Sequence, residues 1–337
     1  VVNASDGSTE KLNHLGIPMG KERHEVPVLH AGDIGVVAKL KHTHTNDTLC
    51  DPERPVELRT IDFPEADISV AIRGRSRADE DKLGEVLPKI SEEDPSFAAH
   101  FDGELHQTIA RGLGELHLEV QFERMARKYG VHVETEQPRI AYRETLTASA
   151  EAQGRHKKQS GGRGQFGDCH IRLRPLARGS GYEFVDSIKG GVIPNKYLPS
   201  VDRGIQEAAS QGVVAGYPVV DFAAECYDGS YHSVDSSDIA FKIAGSQAFK
   251  AAASRCRPVL LEPVVEVSVV TPEEYMGEIM GDLTSRRGKV QGMDSDGGRT
   301  VIHALVPEAE LYRYAAALRS MTQGRGHHTR RPAGYEP

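Results

Sequence analysis

The sequence predicts a mixed α+β protein built from several domains, and three observations lead there. The chain has 337 residues, more than one domain of about 100–150 residues holds. The order strand, helix, two strands, helix, strand occurs twice, from Ile61 to Pro138 and from Glu262 to Pro337, which is the order of a ferredoxin-like split β-α-β module. Between the copies lies a longer stretch with its own strands, two helical patterns and dense glycine punctuation.

From the start, Glu25 to Leu29 and Gly35 to Leu40 are short apolar alternations broken by Gly32, Pro52 and Pro55, so residues 1–58 are expected to hold a few strands with polar turns. In the first split module, Ile68, Val70 and Ile72 alternate as in a half-buried strand, whereas Leu83, Val86, Leu87 and Ile90 recur at helical spacing. Thr108 to Leu113 is a strand, and Glu115 to Lys128 a helix with Leu116, Val120 and Met125 on its apolar face, ended by Gly130. Val131 and Val133 open the closing strand.

Between 139 and 257, Ile171, Leu173, Phe184 and Val185 mark strands. A helix follows Pro199 through Val201, Ile205, Ala208 and Ala209 and ends near Gly212. After a strand from Val219 to Tyr227, Asp228-Gly229 is the sequence of a tight turn. Asp235 stands where an N-cap belongs, and Ile239, Ile243, Ala240, Ala244 and Ala248 line one side of a long helix. His232 then falls on a loop between strand and helix. In the second split module Val265, Val267 and Val269 alternate, Tyr275, Ile279 and Leu283 take helical spacing, Arg299 to Val306 is a strand, and Leu311, Ala315 and Leu318 mark the second helix.

Composition narrows the function classes. Hydrophobic residues make up 38% and charged residues 27% of the chain, as in an ordinary globular protein, and no apolar run reaches the roughly 20 residues that span a membrane. Val1 to Glu10 is polar, unlike a secretory leader, and the missing Met at position 1 points to a fragment. Cys50, Cys169, Cys226 and Cys256 are scattered and are expected to be reduced cytosolic thiols. The net charge of −8 disfavours a general nucleic-acid coat, so any RNA contact is expected to be local and geometrically defined.

Little in the chain suggests covalent chemistry. His42 and His44 lack a nearby third ligand. Glu115 and His117, two apart on a helix, do not share a face and are assigned surface and packing roles. No Gly-x-x-x-x-Gly-Lys-Ser/Thr motif occurs, so this chain by itself is not expected to hydrolyse GTP. No catalytic residue and no metal site is assigned.

The informative stretch is His156 to Gly167. Arg155, Lys157 and Lys158 supply charge for a polyanion, while Gly161, Gly162 and Gly164 remove bulk and let the backbone come close. Gln159, Ser160 and Arg163 offer donors to sugars or base edges. By composition the same run also suits a solvated flexible linker.

Gln159-Ser-Gly-Gly-Arg-Gly-Gln-Phe-Gly167, Gly190-Gly-Val-Ile-Pro194, Ala215 to Asp221, Asp228 to Ser237 and Ala240 to Gly245 stand in an order that resembles domain IV of translation elongation factor G. Glu93 to Phe97 and Gly114-Glu-Leu-His-Leu118 upstream, with Glu262-Pro263, Gly277 and Arg286-Arg-Gly288 downstream, extend the resemblance over nearly the whole chain. It implies the end of the domain II β-barrel at 1–58, domain III at 59–138, domain IV, an elongated α+β tip domain, at 139–257, and domain V at 258–337. The implied fold is then a partial barrel and two ferredoxin-like domains flanking domain IV.

The resemblance further implies a cytoplasmic, monomeric protein whose partner is the ribosome: ribosomal RNA, the mRNA and tRNA of the A site, and the stalk-base protein. GTP and Mg would belong to the full-length parent. Lys158, Gln159, Ser160, Gly161, Gly162, Arg163, Gly164 and His232 become RNA-contacting tip residues, with Gly190 to Pro194 a third loop. Two departures from the family pattern stand out. Arg73-Gly-Arg-Ser-Arg77 replaces an acidic residue and a proline, and Gly167-Asp-Cys-His170 replaces a histidine-valine run; the second favours a recycling paralogue. Intact glycine and Tyr231-His232 motifs argue against a tetracycline-resistance ribosomal protection factor, and the net acidity against a standalone RNA-binding protein.

Overall fold

The computed structural model describes the whole chain except residues 65, 67 and 160–163 and the side chain of Asp296. It divides into two compact units, Val1–Pro138 and Arg139–Pro337.

In the first unit, residues 1–58 carry four short strands, β1 (Val2–Asn3), β2 (Gly16–Met19), β3 (Glu22–Glu25) and β4 (Leu49–Cys50). β1 pairs with β4 and β2 with β3, and no closed barrel forms among the described residues. The alternations at 25–29 and 35–40 are not strands. Pro27 lacks an N–H for a ladder, Lys39 takes a positive φ of 66°, and the second stretch pairs only through the single Val36–Gly16 bridge. Packing here rests instead on polar anchors. Glu10, 5% exposed, accepts from the Lys41 and His42 backbone N–H groups at 2.8 and 2.6 Å.

The split module of the first unit comprises β5 (Ile68–Gly74), α1 (Arg77–Glu93), β6 (Ala98–Asp102), β7 (Gln107–Gly112), α2 (Glu115–Tyr129) and β8 (Val133–Glu136). Its antiparallel sheet has the order β6-β7-β5-β8. The unusual Arg73 to Arg77 run has local uses: Arg73 pairs with Glu134 and Glu136, and Ser76 caps α1 in a capping box with Asp79. Leu83, Val86, Leu87 and Ile90 are buried as their spacing predicts. On α2 the buried stripe is Leu118, Gln121 and Met125, while Leu116 is 73% and Val120 43% exposed. The buried face of α2 is rotated from the expected one because the polar Gln121 takes a core position, where its amide reaches Asp94 at 2.6 Å. His117 joins the same network, accepting from the Leu113 N–H at Nδ1 and meeting Asp94 through Nε2 at 2.9 Å.

The second unit starts with β9 (Arg143–Thr145), β10 (Ala150–Lys158), β11 (Gln165–Pro175), β12 (Tyr182–Asp186), α3 (Leu198–Ser210), β13 (Val219–Val220), β14 (Phe222–Ser230) and α4 (Asp238–Ala253). One sheet has the order β10-β11-β14-β12, antiparallel except for the β12–β14 pair. Ile171, Leu173, Ala224 and Cys226 from its strands share a buried core with Val201, Ile205, Phe241, Ala244 and Phe249 from the two helices. Gly154 on β10 permits this layer spacing, since a Cβ there would sit 1.9 Å from the Ala244 carbonyl oxygen on α4.

Three local expectations fail here. Asp228-Gly229 is not a turn: β14 continues to Ser230, with Gly229 opposite Cys169. Gly229 serves close packing, because a Cβ would meet the Asp168 carbonyl oxygen at 2.3 Å and the Ile193 side chain at 2.5 Å. The strand does break earlier, at Asp221 with φ 59°. The N-cap of α4 is Ser237, which accepts from the Ala240 N–H, leaving Asp235 to the loop. On α4 the alanines are buried as expected, but Ile239 is 66% exposed.

The last elements are β15 (Val259–Pro272), α5 (Met276–Ser285), β16 (Lys289–Asp296), β17 (Arg299–Pro307), α6 (Tyr314–Met321) and β18 (His327–Glu336). Their sheet order is β18-β15-β17-β16, the same 4-1-3-2 arrangement as in the first module. Val265, Val267 and Val269 meet Ile279, Leu283 and Leu318 in one core. Leu311 falls in a 3-10 turn before α6. The first three residues of β15 pair with β9, so one strand is shared by both parts of this unit.

Candidate RNA-contacting loop pair

The hairpin of β10 and β11 closes its ladder at Lys158 opposite Gln165. Lys158 and Gln159 are exposed at that end; Ser160, Gly161, Gly162 and Arg163 lie outside the described residues. From Gly164 the chain is held. Its N–H donates to Asp235 Oδ1 at 3.0 Å, and a Cβ on Gly164 would approach that carboxyl to 2.9 Å. The Phe166 N–H donates to the Asp235 carbonyl at 2.9 Å.

His232 lies on the loop from β14 to α4. The loop folds back because the Ser236 N–H donates to the His232 carbonyl at 3.1 Å and the His232 N–H to Ser236 Oγ at 2.9 Å. The imidazole Nδ1 accepts from the Val234 and Asp235 N–H groups at 3.3 and 3.1 Å. In the neutral ring those contacts place the proton on Nε2, a donor for which no partner appears among the described residues. The side chain is 54% exposed, 6.4 Å from the Phe166 ring, which in turn lies under the Arg155 guanidinium.

The structure thus brings Gly164 and His232 together through Asp235, with Lys158, Gln159 and His232 exposed and Gly164 half-buried. Gly190 to Pro194, the expected third loop, is anchored differently: Ile193 is fully buried. Just after it, the Tyr197 hydroxyl donates to the Ser236 carbonyl at 3.2 Å and its ring stacks on Phe241. Gly190 and Gly191 stay exposed, and it is Tyr197, outside that loop, that braces the pair at Ser236. Sequence reasoning missed Asp235, Ser236, Phe166 and Tyr197 as parts of this assembly. Phe166, Asp235 and Ser236 stand inside the two motifs that carry the family resemblance, which was their signal; Tyr197 had none.

Chemically the pair offers a hydrogen-bond donor, an aromatic edge and close backbone approach. Cys169 and Cys226 lie beneath, and burial pushes both thiols well up, Cys226 to about 12, so neither is a nucleophile near neutrality. No group of three potential metal ligands occurs among the described residues. Nor is any helix among them long and apolar enough to cross a membrane.

Comparison with known proteins gives one family throughout. The model of elongation factor G domain III matches residues 63–137, that of domain IV residues 138–257, and that of the elongation factor G C-terminus residues 259–337. A crystal structure of a protein from Thermus thermophilus is 44% identical, with a TM-score of 0.84 over 96% of this chain. The chain spans 48% of that protein's length. Three consecutive domain matches, together with 44% identity to that protein over 96% of this chain, show that this chain belongs to the elongation factor G family.

Proposed function

We propose that the chain is the carboxy-terminal part of a ribosomal translocase: the end of domain II at 1–58, domain III at 59–138, domain IV at 139–257 and domain V at 258–337. Domain IV enters the A site behind the moving peptidyl-tRNA and promotes GTP-dependent movement of tRNA and mRNA. The observation that supports this most is the exposed junction of the Gly164 strand end with His232. Glycines admit the backbone to the A-form minor groove, whose 2′-hydroxyls are accessible. Lys158, Gln159, Ser160, Arg163 and His232 then supply charge and hydrogen bonds that identify shape more than sequence.

The protein works as a monomer in the cytoplasm, with ribosomal RNA, the codon–anticodon helix and the stalk-base protein as its partners. GTP and Mg enter through a preceding domain. No P-loop motif occurs in this chain, and no step here runs through the nucleotide.

The test follows tRNA–mRNA movement on pre-translocation ribosomes with the full-length protein, and subunit splitting in parallel. Movement without splitting is the expected result. Splitting without movement would instead identify a recycling paralogue, the reading that Gly167-Asp-Cys-His170 favours. His232→Ala should slow movement about tenfold, as loss of roughly 1.4 kcal/mol of transition-state contact requires, and far more than it lowers ribosome-stimulated GTP hydrolysis. Equal loss of both would move the role of this loop from the tip to the nucleotide switch.

A further inference from the structure

The two ends of the candidate site are joined by a residue pair that is itself largely shielded from solvent, the Asp235 side chain being 25% exposed. Asp235 reaches both ends with three of its polar groups. Its carboxylate accepts from the Gly164 N–H and its carbonyl from the Phe166 N–H, while its own N–H donates to His232 Nδ1. Ser236, only 5% exposed, bridges the same ends through one hydroxyl, which accepts from the His232 N–H at 2.9 Å and donates to the Phe166 carbonyl at 3.0 Å. Phe166 and Ser236 also form a parallel β-bridge.

We propose that Asp235 and Ser236 are positioning residues, a latch that fixes the glycine-loop exit and the His232 ring in one register so that both meet RNA as a single preformed surface. The inference rests on the RNA-contacting reading above and adds how the surface is held. Two loops that moved independently would each have to be ordered when the ribosome is engaged, and every ordering step removes part of the gain from contact. With the latch closed, the Nε2 donor and the end of the glycine loop keep a fixed separation before any partner arrives. The same bonds explain why His232 presents Nε2 outward: Nδ1 is occupied by the two backbone donors the folded-back loop supplies. Tyr197 completes the support by donating to the Ser236 carbonyl.

The test compares Ser236→Ala and Asp235→Ala with Ser236→Thr, which keeps a hydroxyl. Amide hydrogen exchange at Gly164 and His232, whose N–H groups donate to the Asp235 carboxylate and the Ser236 hydroxyl, is read in this chain, and the translocation kcat and ribosome KM in the full-length protein. Asp235→Ala should raise exchange at the Gly164 amide about tenfold and Ser236→Ala at the His232 amide by a similar factor, each in line with loss of the side-chain acceptor of that N–H. They should also lower kcat about tenfold while KM holds, and Ser236→Thr should restore both. Unchanged exchange would refute the latch. Faster exchange with kcat intact would refute its role in positioning, and a fall in kcat that Ser236→Thr does not reverse would do the same. If a variant loses its far-UV circular dichroism, the other alanine variant decides. A parent protein that moves no tRNA would refute the translocase reading instead, and exchange together with protection of A-site ribosomal RNA bases by the bound chain would then judge the latch.

Discussion

Glu144 offers a sharp test of what holds the second unit together. It is fully buried in β9 and its carboxylate collects five backbone N–H groups from one loop. Oε2 accepts from Val213 and Val214 at 2.6 and 2.9 Å, and Oε1 from Ala215, Gly216 and Tyr217 at 2.7, 3.0 and 3.2 Å. Burial by itself would raise the pKa of this carboxyl, but the donors from Val213, Ala215, Val214 and Tyr217 outweigh it and hold the group below the usual carboxylate range. Glu144→Gln keeps the shape and turns one acceptor into a donor. Placed to retain three bonds, the amide faces the Val213 and Val214 N–H groups and loses two.

Bonds to a charged group are worth about 1.5–3 kcal/mol each. Val214 is 56% exposed, so water reaches the loop and the lower figure applies, for a loss of about 3 kcal/mol at pH 7. In a unit of this size that lowers Tm by about 6–12 °C. Because the folded pKa is depressed, this stabilisation is fully present above the unfolded value of about 4.3 and is lost as pH falls through the lower folded value. Protonated Glu144 resembles glutamine, so the two proteins should converge in acid. Calorimetry and circular dichroism on both proteins between pH 7 and pH 3 measure this. A fall in Tm under about 2 °C at pH 7, or a gap that does not narrow in acid, would refute the assignment.

The remaining predictions concern glycine. Gly154→Ala sets a Cβ 1.9 Å from the Ala244 carbonyl oxygen; backbone must move, and the expected cost is about 3 kcal/mol or more, read as a lower urea midpoint. Gly84→Ala should have the opposite sign: Gly84 lies inside α1, exposed, with nothing within 4 Å of its missing Cβ, so the same urea measurement should show a gain of about 0.5–1 kcal/mol. A loss at Gly84 would mean that this surface of α1 is packed in solution.

Much of the fold was legible because burial periodicity is a local property. Leu83, Val86, Leu87 and Ile90 state their helix in four letters, and Val265, Val267 and Val269 their strand. Where a local signal competes with packing, sequence reasoning failed. Asp228-Gly229 has the composition of a turn, yet that glycine is there so that Ile193 and the Asp168 backbone can lie against β14. Leu116 and Val120 look like core, but the buried Gln121–Asp94 bond turns α2 away from them. Neither partner is near in sequence, so no window could have contained the cause.

For the candidate site, the sequence by itself determined the residue types: a basic, glycine-dense run and a histidine on a separate loop, in the order that marks the elongation factor G family. Only the tertiary structure decided that Gly164 and His232 meet, and that Asp235 and Ser236, about seventy positions beyond the glycines, join them. The reason is geometric. Hydrogen bonds between two strand ends depend on the register of β10, β11 and β14 and on where α4 begins, and that register is set by the whole packed layer.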